Sequence, residues 1–445
     1  MPFPFTLHPD SSLRAHRTLT RVVVIALIGL SGTATYAVDE PLTLGQAQQL
    51  AVARSRQLTA QDWAITSAQQ LAAAAGQLPD PVLKFGVDNL PVDGPERFSV
   101  TEDFMTMRRI GVMQEWTRSD KRQLRTERYV READKSAAEK NVAIAAIERN
   151  TALAWLEHYY AQEMAAIAAE QATQARQEIE AAEGAYRAGR GSQAELLSAR
   201  SALALVDDRS SELGRRLRSA TTMLARWIGS AADTPLAGTP AIGTVRLDPA
   251  TLETQLAHHP QIAVLSRQEA IAQTEAKLAQ ANKRADWSVE VGFQQRGRAY
   301  SNMISVGVSI PLQWDQKNRQ DRELSSKLAL VERAKAEREE TLREHVAETR
   351  SELLAWENGL ERHTRYEQEL IPLAKQRTQA TLAAYRGGKS TLADVLAARR
   401  IETDMRLQAL QLEADTARLW AQLNFLLPAE TRDAHSTQTE RKDQP

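Results

Sequence analysis

Hydrophobic and polar positions follow two different periods along this chain, and the periods change in the same order in each half. Residues 42–78 carry apolar side chains at helical spacing, and Pro79 and Pro81 then force extended backbone. Alternating apolar and polar positions, typical of half-buried strands, cover residues 82–90, about 104–116, 287–294 and 304–312. The pattern predicts a helix followed by two strands in each half.

After each strand pair the chain shows a very long helical stretch, residues 118–187 and 318–386, with almost no Gly or Pro apart from Gly359 and Pro372 in the second. About 69 residues at a rise of ~1.5 Å make a rod of roughly 100 Å, which is in the range of coiled coils. Shorter helices are predicted to return antiparallel to these rods, over residues 193–228 and 392–427.

The two reversals belong to a sequence repeat. AYRAGRGSQAELLSAR realigns with AYRGGKSTLADVLAAR 199 residues later, with eight of sixteen positions identical. Left-handed backbone is expected at the turn glycines, which are Gly189 and Gly191 in the first repeat and Gly387 and Gly388 in the second. A hydroxyl side chain is expected to cap the N-terminus of each returning helix, Ser192 in the first repeat and Thr391 in the second. We therefore expect a first repeat at 38–230, a linker at 231–247, a second repeat at 248–427 and a polar tail at 428–445.

The N-terminus has the three regions of a secretory signal peptide. Three arginines precede the apolar run VVVIALIGL, which is too short to span a membrane, and SGTATYA follows it. Cleavage after Ala37 would remove residues 1–37. The alternative interpretation is an amphipathic or disordered N-terminus.

Composition excludes several classes of function. Of 445 residues, 42% are hydrophobic and 25% are charged, and 56 Lys and Arg balance 57 Asp and Glu, so no basic excess favours nucleic-acid binding. The absence of cysteine excludes disulfides, thiolate metal sites and lipid attachment through Cys. No catalytic motif assembles, so we expect neither an enzyme nor a cofactor.

The predicted strands need a partner for their apolar face. One solution is a closed barrel in a membrane, for which four strands are too few, so that three chains would supply twelve. The other is a soluble periplasmic coiled-coil scaffold with a small sheet cap. The residues alone leave both open.

The duplicated order of elements, the two AYR-x-G turns and the strands GVMQEW and GVSIPLQW resemble the TolC family of outer-membrane efflux channels over nearly all of residues 41–427. The resemblance implies a mainly α fold with a small β part: a trimeric 12-stranded transmembrane β-barrel continued by a long periplasmic α-helical barrel, with two structural repeats per chain. It implies a homotrimer in outer-membrane lipid that acts with a periplasmic adaptor (membrane fusion) protein and an inner-membrane resistance-nodulation-division pump.

Within that family, LPDPVLKFGVDNLP and DFMTMRRIGVMQEW are similar to outer-membrane components of heavy-metal exporters. The resemblance implies a passive exit duct for cations of the copper, silver, cobalt, zinc or cadmium class, with drugs or organic solvents as the alternative cargo. Many relatives carry a lipidated cysteine, which this chain lacks, so anchoring is expected from the barrel.

The resemblance also assigns roles at the periplasmic tip. Asp394 matches the first acid of the family's pore gate, Ala397 occupies the place of the second, and Glu195 is the repeat equivalent of Asp394. The alternative is that both acids only complement helix dipoles. The expected adaptor-docking turns comprise Gly189, Arg190, Gly191, Gly387, Gly388 and Lys389.

Two residue sets are weighed as metal ligands and set aside. Met105, Met107 and Met113 have thioethers suited to Cu(I), but a Met cluster without Cys or His is more often flexible packing. The histidines show no metal-site spacing. We expect no metal site.

Overall fold

The computed structural model describes residues 41–189 and 191–426; the signal-peptide prediction and the tail lie outside them. The first half contains α1 (Leu44–Arg54), α2 (Arg56–Ala75), β1 (Val82–Asp88), β2 (Met107–Trp116), α3 (Ser119–Arg187), α4 (Gln193–Ile228) and a 3₁₀ turn (Gly229–Asp233). The second contains α5 (Leu252–Leu256), α6 (Pro260–Asn282), β3 (Trp287–Gln295), β4 (Met303–Ser309), α7 (Gln320–Arg365), a π-helical turn (Tyr366–Leu370), α8 (Ile371–Arg386) and α9 (Leu392–Asn424). The prediction of a mostly helical chain with a small antiparallel sheet is confirmed.

The core lies between long helices. α3 runs for 69 residues, and α1, α2, α4, α6 and α9 all pack against it. Trp155, Leu156 and Tyr160 of α3 are 1% exposed, and the Trp155 indole N–H donates to the Leu42 carbonyl oxygen at 3.2 Å. Burial of such side chains contributes about 2–3 kcal/mol each and fixes the helices side by side.

Several predicted boundaries were wrong for local reasons. The first helix breaks at Ser55, whose hydroxyl accepts from the Leu58 N–H and caps α2. β2 begins at Met107 instead of about 104; just before it, the Asp103 carboxylate accepts from the Met105 N–H at 3.0 Å in a local turn. β4 ends at Ser309, shortly before Pro311, and α9 ends at Asn424.

The second rod is not the continuous helix that the sequence predicted. Five residues of π-helix separate α7 from α8, and Pro372 lies in the first turn of α8. Proline has no N–H to donate to the preceding turn, so the hydrogen-bond ladder must shift there. The two halves of the chain therefore differ within their long helices.

All four strands form one antiparallel sheet in the order β1-β2-β3-β4. The pairing of β2 with β3 joins the two halves of the chain. Trp116 lies opposite Trp287, with ring centroids 5.1 Å apart and planes inclined by 9°. β1 and β4 are the two edges.

Candidate functional site

One face of the sheet is apolar and open. One row of paired residues crosses all four strands and comprises Leu83, Val112, Val291 and Val306. The next row on the same face is also apolar. The most exposed side chains of this face are Phe85 at 82%, Ile304 at 75% and Val306 at 71%. A contiguous exposed apolar surface of this kind marks a contact with lipid or with another protein.

The opposite face is polar and internally paired. Lys84 Nζ lies 2.6 Å from Glu290 Oε2, and Arg109 lies 3.3 Å from Asp88 and 3.6 Å from Glu290. Gly111 lies beneath these side chains, where a Cβ atom would come within 3.0 Å of the Val291 carbonyl oxygen. The sheet is therefore two-faced: its charged side chains lie on this side, except for Arg108, which is in register with Val87 near the outer end of the apolar face.

Tryptophans mark one end of the sheet. Trp116 and Trp287 are 37% and 39% exposed, and Trp314, just after β4, is 86% exposed. Tryptophan is enriched where an apolar phase meets water. Within the described residues, no helix combines the length and apolarity needed to cross a membrane.

At the two helical turns, one glycine of each has the left-handed backbone that the sequence predicted. Gly189 has φ of +70° and Gly388 of +71°, at equivalent repeat positions. Gly387 has φ of −85°, so the prediction was wrong for this residue. At Gly191 the constraint is space, since a Cβ atom would lie 3.3 Å from the Tyr186 nitrogen. Lys389 is exposed, and Arg190 lies outside the described residues.

Glu195 and Asp394 occupy the same place in the two repeats, the third residue of a returning helix. Ser192 and Thr391 are the N-caps, as predicted, and each forms a reciprocal capping box with the acid. Asp394 Oδ2 accepts from the Thr391 N–H at 3.0 Å, the Thr391 hydroxyl at 2.7 Å and the Ser390 hydroxyl at 3.0 Å. These bonds hold the pKa of Asp394 below its ordinary value, so the carboxylate is charged at neutral pH.

The two turns are held together just behind the capping boxes. Arg399 of α9 pairs with Glu178 of α3 and donates to the Gln174 side-chain oxygen at 2.9 Å. Burial raises the pKa of Glu178, and Arg399 opposes that rise. A cavity of about 340 Å³ adjoins the pair, and Ala397, for which the sequence predicted the place of the second gate acid, is among its lining residues. Sequence reasoning missed this link, because residues 221 positions apart share no local pattern.

The methionines do not converge. Met107 and Met113 lie six residues apart on β2, which is ~20 Å along a strand, and Met105 precedes the strand. His259 caps α6 through its Nδ1, which accepts from the Gln261 N–H at 3.2 Å. Among residues 41–189 and 191–426, no three His, Asp or Glu side chains are arranged to hold a metal ion.

Solved structures of outer-membrane channels share this fold at low sequence identity. The outer-membrane channel OprN is 18% identical, with a TM-score of 0.71 over 87% of this chain and 90% of its own. The outer-membrane protein VceC from Vibrio cholerae is 18% identical, with a TM-score of 0.68 over 86% and 95%. CusC, whose structures concern transmembrane channel formation, is 15% identical, with a TM-score of 0.70 over 87% and 92%.

Neither a family model nor a curated protein sequence matches the chain. The structural likeness alone therefore establishes that this chain has the fold of outer-membrane channels.

Proposed function

We propose that this protein is an outer-membrane channel, the passive exit duct of a tripartite efflux system. The observation that carries the proposal is the open apolar face of the sheet, opposed by a charged face and bounded by tryptophans. In lipid the apolar face is solvated, and the charged face lines a water-filled interior. A soluble scaffold would leave this face in water.

The size of the sheet agrees with a lipid bilayer. β3 has nine residues, which at ~3.3 Å each make a strand of about 30 Å. A tilt of about 40° reduces its height to roughly 23 Å, close to the ~25 Å apolar band of outer-membrane barrels. The tryptophans then lie at the periplasmic boundary of that band.

Both edges of the sheet must pair in lipid, and this sets the number of copies. Two copies would give eight strands, whose interior is filled by side chains, whereas three give twelve and leave a bore. The proposal is thus a homotrimer with a twelve-stranded β-barrel, in which β4 of one protomer pairs with β1 of the next. The proposal also includes export of the chain by a signal peptide at residues 1–37, and two repeats at residues 38–230 and 248–427.

The long helices form the periplasmic tunnel in this proposal. Large apolar side chains remain exposed on them in the single chain, among them Leu354 at 67% and Leu373 at 61%, as expected of surfaces that meet a second copy. The turns at Gly189–Gly191 and Gly387–Lys389 form the docking surface for a periplasmic adaptor protein, which links the tunnel to an inner-membrane resistance-nodulation-division pump.

We assign heavy-metal cations as the cargo. Three copies of Asp394 and of Glu195 at the tip would form two rings of carboxylates, which favour cations over anions. A deletion strain should lose tolerance to a copper-, silver-, cobalt-, zinc- or cadmium-class ion and regain it with the wild-type gene. If the deletion strain keeps its metal tolerance and becomes more sensitive to drugs or solvents, the assignment of metals as cargo is wrong and drugs or organic solvents are the cargo.

Neighbouring positions on β4 provide a matched test of the channel. Val306 is on the apolar face, and Ser305 is on the polar face. Val306→Arg places a charge in lipid at a cost of about 2–4 kcal/mol and should strongly reduce membrane insertion and conductance in planar bilayers, whereas Ser305→Arg should insert. Equal insertion of the two variants, or wild-type protein recovered only in the soluble periplasmic fraction, would contradict the proposal.

A further inference from the structure

The connection between β1 and β2 carries exposed apolar side chains where polar ones are expected. Val92 is 70% exposed and Phe98 is 61% exposed, and Phe98 has φ of +59°. A left-handed conformation costs a bulky residue of order 1–3 kcal/mol, and it persists where the surroundings or a function require it. This connection is also eleven residues longer than the one between β3 and β4.

One part of the connection between β1 and β2 already packs against another segment of the same chain. Arg296 donates through Nε to the Phe104 carbonyl oxygen at 3.0 Å, and a Cβ atom on Gly297 would overlap the Thr101 carbonyl oxygen. Residues 101–106 are therefore packed against the 296–302 connection of the same chain.

The other part, residues 91–98, forms a lobe at the outer end of the edge strand β1. The Phe98 N–H donates to the Pro91 carbonyl oxygen at 2.8 Å and closes the lobe. Asp93 and Glu96 are exposed on it, and neither side chain forms a hydrogen bond or ion pair with any described residue. Arg97 is stacked over the Phe98 ring at 5.4 Å.

A complementary group lies at the opposite edge. Arg298, in the connection that leads into β4, is exposed and also forms no hydrogen bond or ion pair within the described part of the chain. Tyr300, two residues later, is 40% exposed. β1 and β4 are three strand spacings, roughly 14 Å, apart, so within one chain the lobe and the start of β4 lie at opposite edges of the sheet.

We propose that the 91–98 lobe is a docking surface for the 296–302 connection of a neighbouring copy of this chain. Arg298 of one copy pairs with Asp93 and Glu96 of the next, and Tyr300 covers the exposed apolar side chains of the lobe. This inference rests on the proposed trimer, because pairing of β4 with β1 of the next copy brings the outer ends of both strands together. The contact would lock adjacent subunits outside the membrane.

Thiol crosslinking tests the contact directly, since the chain has no cysteine of its own. Glu96→Cys combined with Arg298→Cys, treated with a short bis-maleimide in outer membranes, should give covalent dimers and trimers, while either single variant should give none. Glu102→Cys with Arg298→Cys is the matched control and should crosslink within one chain only, because Gly297 abuts Thr101.

A charge exchange gives an independent readout. Arg298→Glu should raise the dissociation rate of the detergent-resistant trimer by about two- to fivefold, the effect of one exposed ion pair, and adding Glu96→Arg should restore it. If amine crosslinking shows trimers but the 96/298 cysteine pair yields only monomers, the docking inference is overturned and the channel proposal stands. If amine crosslinking shows no oligomer, both are overturned.

Discussion

Replacing Gly359 by alanine tests the close approach of α7 and α9. A Cβ atom at this position would overlap the Thr416 hydroxyl oxygen and lie 3.2 Å from Thr416 Cβ. Thr416 is 2% exposed, and its hydroxyl donates to the Leu412 carbonyl oxygen at 2.8 Å. A β-branched side chain held in this way has little freedom to move aside.

Two effects of opposite sign set the magnitude. Glycine to alanine inside a helix stabilises by about 1 kcal/mol, whereas overpacking a buried contact costs about 1–3 kcal/mol. Gly214, inside α4, is the matched control, because a Cβ atom there meets only Arg218 Nη1 at 3.6 Å. Gly359→Ala should therefore be about 1–3 kcal/mol less stable than Gly214→Ala.

Thermal unfolding in one detergent, followed by far-ultraviolet circular dichroism, measures the difference. An unfolding entropy of about 2.1 cal/mol/K per residue makes 1 kcal/mol worth roughly 1 °C in a chain of this length, so Gly359→Ala should melt about 1–3 °C below Gly214→Ala. Thr416→Ala in the Gly359→Ala background should recover part of the loss. A Gly359→Ala variant that melts at or above the control would refute the packing argument.

Three further results are expected. Gly388→Ala should cost about 1 kcal/mol in thermal unfolding because of its positive φ, with Gly388→Asn better tolerated and Gly387→Ala near neutral as the control. Burial opposes ionisation of Glu157, but hydrogen bonds from two arginines outweigh it and hold its pKa below the ordinary value. The stability it contributes is therefore present above about pH 4.5 and lost as pH falls through the lowered pKa, so Glu157→Gln should flatten the acid limb of a pH–stability curve. Lys121 is 4% exposed and lies 2.9 Å from Asp286; Lys121→Met should cost about 3 kcal/mol in denaturant unfolding, and adding Asp286→Asn should recover part of it.

The periodicity of the sequence predicted most of the fold because long helices and alternating strands are local patterns. α4 was predicted residue for residue, since its N-cap serine and C-terminal glycine both carry local signals. The π-helical turn before α8 was not predictable in this way, because one inserted residue barely changes the helical spacing of apolar positions. The pairing of Glu178 with Arg399 depends on how two helices pack, which no single stretch of sequence encodes.

The capping role that the structure shows for Glu195 and Asp394 is compatible with the gating role proposed for them. All three hydrogen bonds to Asp394 go to Oδ2, and both bonds to Glu195 go to Oε2, so among the described residues the second oxygen of each carboxylate has no hydrogen-bond partner. The cap fixes the direction of the carboxylate and, at Asp394, lowers the pKa. A carboxylate that is oriented and held ionised by its own helix can present its free oxygen to a passing cation without rearrangement. In the proposed trimer, the capping box would therefore support a charged ring at the tip. Asp394→Asn, which keeps an acceptor oxygen but removes the charge, should then weaken cation selectivity more than it disturbs the turn.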